Sequence, residues 1–330
     1  MTHPYERLTP DLVLAAVDSA GFRTDGRLLA LNSYENRVLQ LGLEQPVPPF
    51  GEFLVAKFYR PERWSDAAIG EEHAFALALA AAEIPVVPPL QDANGETLHH
   101  YAGFRFALYR RQGGRWPDLD RPERLAWTGR FLGRIHQLGA ARDFVHRPTL
   151  DTASFGHAAA EQLLASGLLP PEYHNRYRRL IDELLPRIAE RFAAVAPRTI
   201  RLHGDCHPGN ILWTDAGPHF VDLDDCRMGP AVQDLWMLLS GERADQAAQL
   251  AELLQGYRLF CDFDSRQLAL IEPLRTLRFI HYAAWLARRW DDPAFPPAFT
   301  WFGTPQYWEG HLNDLELQLE LLDAPPLRID

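Results

Sequence analysis

The sequence predicts an α+β protein in two lobes: a small antiparallel sheet with one main helix, then a larger, mostly helical part. Three observations carry this. Short apolar segments set off by turn residues fill the first 110 residues. Beyond Arg110-Arg111-Gln112-Gly113-Gly114, read as a hinge, apolar residues recur at helical spacing. Only once, between residues 199 and 223, does a β-like pattern return. The expected domains are residues 1–110 and 111–330, with a ligand in the cleft between them.

Thr9-Pro10-Asp11 reads as a helix cap, a first-turn proline and a first-turn acid, followed by an apolar stripe through Ala20 and a stop at Gly21. Leu28 to Leu31 and Arg37 to Leu43 read as strands joined by the turn Asn32 to Asn36. A third strand runs from Phe53 to Tyr59, and alternation puts Phe53, Val55 and Lys57 on one face. Ser65 caps a helix over about 66–82, ended by prolines, and two short strands fall within 98–109. Helices are expected near 121–138, 153–166, 171–194, 244–258, 265–290 and 305–322, with β segments at 199–203, 211–213 and 219–223. Gly129 and Gly133 lie inside the first of these helices, where glycine permits close helix contact, and His136 reads as a core histidine.

Composition narrows the function classes. The 330 residues are 47% hydrophobic and 23% charged, which is ordinary for a globular chain. A net charge of −11 argues against a nucleic-acid partner, which needs a basic footprint. The longest apolar run, Ala74 to Ala82, is nine residues, far short of the ~20 of a spanning helix. No basic-then-apolar leader opens the chain. Three cysteines form no disulfide framework, so a reducing cytoplasm is expected; a monomer is a separate expectation that no residue pattern carries.

One count says more. Lys57 is the single lysine among 33 Lys and Arg residues. Coding bias explains arginine on solvated faces, but not the one lysine that remains. Arginine is a planar fork, and lysine is a compact point charge on a thin stem. A lone lysine on a strand suggests a site where only the point charge fits. Glu72 lies within the apolar stripe Ile69, Phe75, Ala76 and Leu79 of the next helix, where a bare carboxylate is costly. Lys57 and Glu72 therefore suggest a pair, with Glu71 as the rival partner.

The densest polar segment is His203-Gly204-Asp205-Cys206-His207-Pro208-Gly209-Asn210, followed by Asp222 in Val221-Asp222-Leu223-Asp224-Asp225. H-x-D-x-x-x-x-N and a later strand-borne Asp is the kinase spacing of base and two metal ligands. Asp205 is the candidate proton acceptor. Asn210 and Asp222 are the candidate magnesium ligands, since Mg²⁺ takes few protein oxygens plus phosphates and water. On strand alternation, Asp222 and Asp224 share a face. A zinc reading of His203, Cys206, His207 and Cys226 lacks a standard spacing.

At Ser33-Tyr34-Glu35-Asn36-Arg37-Val38, Lys57-Phe58-Tyr59-Arg60-Pro61-Glu62-Arg63-Trp64, Leu202 to His207, Val221 to Asp225 and Gly229 to Met237, the chain resembles the bacterial stress response kinase A family. That family belongs to the aminoglycoside phosphotransferase and choline kinase-like branch of the protein-kinase fold. The resemblance implies a bilobal kinase-like fold and an ATP- and Mg²⁺-dependent protein serine/threonine kinase active in stress. It implies catalytic roles for Asp205 and Asp222, metal ligation by Asn210 and Asp222, and nucleotide contacts at Ser33, Val55, Lys57 and Glu72. It also implies that Asp234 braces the catalytic loop. The expected partners are ATP and a protein with a serine or threonine acceptor. The alternatives are a small-molecule kinase of the aminoglycoside, choline or homoserine type and a non-catalytic nucleotide-binding module. One departure is that the turn at Asn32 to Asn36 has no glycine, so phosphate contact there falls to backbone N–H groups and the Ser33 hydroxyl.

Overall fold

The structure is a computed structural model that describes residues 5–31, 33–48 and 51–329. The first residues of the chain and Asn32 lie outside it. The chain forms two compact units: one of residues 1–117, 144–147 and 208–226, the other of 118–143, 148–207 and 227–330.

The first unit is built on a five-stranded antiparallel sheet of order β1-β2-β3-β5-β4. Its strands are β1 (Thr24–Ala30), β2 (Arg37–Val47), β3 (Gly51–Phe58), β4 (His99–Tyr101) and β5 (Phe104–Arg110). Helix α1 (Pro10–Ser19) starts as expected, with the Thr9 hydroxyl accepting the Leu12 N–H. It lays Val13, Ala16 and Val17 against Leu41, Ala56, Phe58 and Phe106 of the sheet. Burying each large side chain is worth roughly 1.5–3 kcal/mol. Because side chains alternate, Lys57 faces away from that core, on the side where Tyr59 and Ala107 meet Ile69 of α2 (Asp66–Ala81). Ser65 caps α2, and Glu72 is buried on it with Ile69, Phe75, Ala76 and Leu79. A hairpin, β7 (Ile211–Thr214) with β8 (Gly217–Phe220), completes this unit.

The second unit holds α3 (Pro122–Gly139), α4 (Ala158–Ala165), α5 (Pro171–Val195), β6 (Thr199–Leu202), β9 (Arg227–Pro230), α6 (Val232–Trp236), α7 (Arg243–Tyr257), α8 (Ile271–Arg288), α9 (Phe295–Ala298) and α10 (Pro305–Asp323). Helices α3 and α7 touch backbone to backbone. A Cβ on Gly129 would overlap the Leu253 carbonyl, one on Gly133 the Tyr257 carbonyl, and one on Gly256 the Ala126 carbonyl. The glycines in α3 are thus packing residues.

Several boundaries differ from expectation. A π-helical turn (Ala153–His157) leads into α4, and a 3₁₀ segment (Ser265–Leu270) precedes α8. Strand β9 pairs with β6 although its Gly229 and Pro230 are poor strand formers, and the pairing is long-range. The β segment expected to reach Leu223 ends at Phe220.

Candidate active site

In the first unit the lone lysine sits among carboxylates. Lys57 Nζ is 3.2 Å from Glu72 Oε1, 2.9 Å from Asp224 Oδ1 and 3.4 Å from Asp222 Oδ1. Burial alone would lower the Lys57 pKa; the negative charges of Asp224, Glu72 and Asp222 outweigh it and hold it well above the usual value. The rivalry between Glu71 and Glu72 is resolved by geometry. Glu72 faces Lys57, whereas the Glu71 carboxylate accepts the backbone N–H groups of Val145, His146 and Arg147 at 2.6, 2.8 and 2.9 Å.

Asp222 corrects the sequence reading in one respect: it is not strand-borne. Its φ of 59° and ψ of 66° are left-handed, and a 3₁₀ turn (Leu223–Asp225) follows at once. The β7–β8 ladder has already ended, with the Val221 N–H donating to the Asn210 carbonyl. Alternation therefore does not apply: both acids reach Lys57, but they differ in burial. Asp224 is buried against Lys57 and Arg63, whereas the Asp222 side chain is 51% exposed. Left-handed backbone at a non-glycine costs about 1–3 kcal/mol, and Asp is among the residues that tolerate it. The hairpin closes Ile211 against Phe220, so Asn210 and Asp222 flank the same open end.

Four cations (Lys57, Arg60, Arg63 and Arg147) contact five carboxylates (Glu35, Glu72, Asp222, Asp224 and Asp225). One negative charge is left over, and Asp222 is the most exposed of the five. The neighbouring carboxylates raise its pKa, even against the opposing pull of Lys57. A half-exposed surplus carboxylate and an amide oxygen are hard oxygen donors of the kind that Mg²⁺ takes.

Val55 is half-buried on β3, two residues before Lys57 on the same face. Ser33 is half-buried ahead of the turn Tyr34 to Asn36. Among the described residues no hydrogen bond joins Ser33 to the Lys57 cluster. That glycine-free turn is held by arginine: Arg60 Nε donates to the Glu35 carbonyl at 3.0 Å, and the buried Asn36 Oδ1 accepts the Arg60 N–H at 3.0 Å.

The second unit carries Asp205. Beyond β6, Asp234 accepts the backbone N–H groups of His203 and Gly204 at 2.8 and 2.9 Å. It also accepts His136 Nε2 at 3.0 Å, while His136 Nδ1 meets the Tyr257 hydroxyl at 2.9 Å. Asp234 thus braces the loop, as the resemblance implied, and His136 is a core histidine. Gly204, at φ +86°, makes the turn before Asp205. Arg278 of α8 donates to Asp205 Oδ1 at 2.7 Å, and His207 Nε2 lies 3.5 Å from Oδ2. Burial would raise the Asp205 pKa; the His207 hydrogen bond and the Arg278 charge overcome this and hold the carboxyl well below its usual range. Arg278 and Arg147 were missed from sequence, because nothing local marks their distant partners. Trp308 is fully buried, whereas Trp301 is 42% exposed. No helix among the described residues is long and apolar enough to cross a membrane.

Comparison with known proteins gives a consistent family. Residues 28–271 match the model of the phosphotransferase enzyme family, APH. The stress response kinase A of Escherichia coli strain K12 is 43% identical over 98% of this chain and 97% of its own. The serine/threonine protein kinase RdoA of Salmonella typhimurium strain LT2 is 42% identical over the same shares. Among solved structures, amicoumacin kinase in complex with AMP-PNP and Ca²⁺ is similar with a TM-score of 0.70, at 19% identity over 97% of this chain and 96% of that one. A microcompartment-associated aminopropanol kinase gives 0.71, at 17% identity over 97% and 100%. At these identities the two structures show a shared kinase-like fold.

Proposed function

The chain belongs to the phosphotransferase enzyme family and, within it, to the stress response kinases A; from this premise we propose that it transfers the γ-phosphate of ATP, with Mg²⁺, to a serine or threonine hydroxyl of a protein. The observation that carries the reading is the Lys57–Glu72 pair, with Asp222 also against the lysine ammonium. The protein acceptor draws support from the relative named as a serine/threonine protein kinase. Three free cysteines, two of them buried, accord with a reducing cytoplasm, and we take the enzyme as a monomer.

In this reading Lys57 presents a point charge to the triphosphate, and Glu72 fixes where that charge sits. Val55 and Ser33 contact the nucleotide. Asn210 and Asp222 would hold Mg²⁺, which when bound supplies positive charge against the phosphate oxygens. Asp205 accepts the proton of the acceptor hydroxyl as its oxygen bonds to the γ-phosphorus, the bond to the β–γ bridging oxygen breaks, and ADP departs. Arg278 and His207 orient the Asp205 carboxylate, and Asp234 fixes the backbone that carries it.

The test uses radiolabelled ATP with and without Mg²⁺. The expected result is Mg²⁺-dependent label on serine or threonine of a protein with the wild type, and none with Asp205→Asn. Label passing only to a low-molecular-weight alcohol would defeat the protein acceptor. No Mg²⁺-dependent ATP turnover would defeat the phosphotransferase reading.

A further inference from the structure

We propose that Arg147 is a positioning residue for the nucleotide site: it holds Glu72 toward Lys57 and ties helix α2 to the turn bearing Asp222, so that the lysine–glutamate pair stands assembled before any nucleotide binds. The inference rests on the reading of Lys57 as the phosphate-binding lysine. Arg147 belongs to a four-residue segment, Phe144–Arg147, that groups with the first unit although the residues on both sides of it belong to the second.

Its guanidinium is fully buried and its donors are spread over three partners. Nη2 donates to Glu72 Oε2 at 2.6 Å, Nε to the Ala68 carbonyl at 2.8 Å and Nη1 to the Asp224 carbonyl at 2.5 Å. The group also lies 4.4 Å from the Trp64 ring, against which Arg63 lies at 5.1 Å. The two oxygens of Glu72 are thereby divided: Oε1 serves Lys57 and Oε2 serves Arg147. Without Arg147, Glu72 would keep a buried, unmatched oxygen, and the cluster would carry a second surplus negative charge where an anionic triphosphate is to bind.

The fork geometry matters as much as the charge. One group reaches a side chain on α2, a carbonyl in the first turn of α2 and a carbonyl in the turn after Asp222. A lysine can supply the charge but not three divergent planar bonds. Glu71 fixes the segment from the other direction by accepting the N–H groups of residues 145, 146 and 147. Helix α2 is thus fastened to this segment through two adjacent glutamates and one carbonyl. A kinase whose helix swings to make or break the lysine–glutamate pair needs that helix free; here it is fastened.

The experiment measures steady-state kinetics with ATP for Arg147→Met and Arg147→Lys, alongside hydrogen exchange of the wild type over residues 66–81 with and without a non-hydrolysable ATP analogue and Mg²⁺. Arg147→Met is expected to raise KM for ATP by roughly tenfold or more, with a smaller change in kcat, and Arg147→Lys to restore part of it. Exchange over residues 66–81 is expected to be equally slow in both wild-type states. A KM within about twofold of wild type in folded Arg147→Met would overturn the proposal, because a merely structural role lowers melting temperature and leaves KM alone. So would exchange that slows by an order of magnitude on nucleotide binding, a result obtainable even where the variant does not fold. A wild type without Mg²⁺-dependent ATP turnover would instead overturn the functional reading beneath it.

Discussion

Glu71 and Glu72 are chain neighbours on α2 that do different work: Glu72 meets Lys57 at 3.2 Å, and Glu71 holds three consecutive backbone N–H groups of residues 145–147. One helical step separates an electrostatic task from a structural one. Glu72→Gln is expected to cut turnover by about a hundredfold or more with the fold kept. Glu71→Ala is expected to lower stability by about 1–3 kcal/mol through lost hydrogen bonds, with a much smaller kinetic effect. Denaturant unfolding and initial rates on both variants check the division.

Lys57→Arg keeps the charge and changes its shape. The pocket formed by Glu72, Asp222 and Asp224 closes on a single nitrogen within 2.9–3.4 Å of each. A planar fork does not fit there, so a large loss of turnover with native circular dichroism is expected. Near-normal turnover would show that the lone lysine carries no special task.

Asp222→Asn separates stability from function. Asn tolerates left-handed backbone as well as Asp does. The carboxylates of Asp224 and Glu72 disfavour the Asp222 charge in the folded state. The neutral variant is therefore expected to melt no lower than wild type while losing Mg²⁺-dependent nucleotide binding. Calorimetry with and without Mg²⁺, beside a melting curve, reads both.

The Arg278–Asp205 pair sets a pH dependence. The His207 hydrogen bond and Arg278 keep the Asp205 carboxyl ionised well into acid. Arg278→Gln removes one of these influences, so Asp205 takes its proton at higher pH and stops acting as a base. The acid limb of the kcat profile should move toward neutrality, with the deficit growing as pH falls and smallest on the alkaline side. A limb that stays in place would separate Arg278 from the basicity of Asp205.

Acid stability has a separate origin. Burial holds the His311 imidazole down to about 4, and burial with the charges of Lys57 and Arg147 holds His73 down to about 3. In the unfolded chain both take a proton near the ordinary value of about 6.5. Between those limits the unfolded state binds more protons, so stability falls as pH drops below about 6.5, by up to about 1.4 kcal/mol per pH unit for each histidine. Urea unfolding from pH 7 down to about pH 4 should show a shallower slope for His311→Phe.

What sequence patterns made legible follows the range of the forces. The Thr9 and Ser65 caps, the glycines of α3 and the buried Glu72 all announce themselves within a few turns of chain. The turn at Asp222 did not, because alternation assumes a strand that ends two residues earlier. Arg147 and Arg278 meet partners 75 and 73 residues away, and no local periodicity encodes such pairs. Strand β9 is specified by β6 more than by its own residues. The grouping of residues 144–147 and 208–226 with the N-terminal unit is likewise a tertiary choice.

The β7–β8 hairpin has a practical corollary. Its exposed tip, Asp215-Ala216, lies four ladder pairs from the open end that sets Asn210 beside Asp222, a span of roughly 10–13 Å. Residues grafted into that tip lengthen only the loop, provided the register Ile211 to Phe220 is kept. A fluorophore or short epitope placed there would give a reporter close to the proposed metal-binding residues.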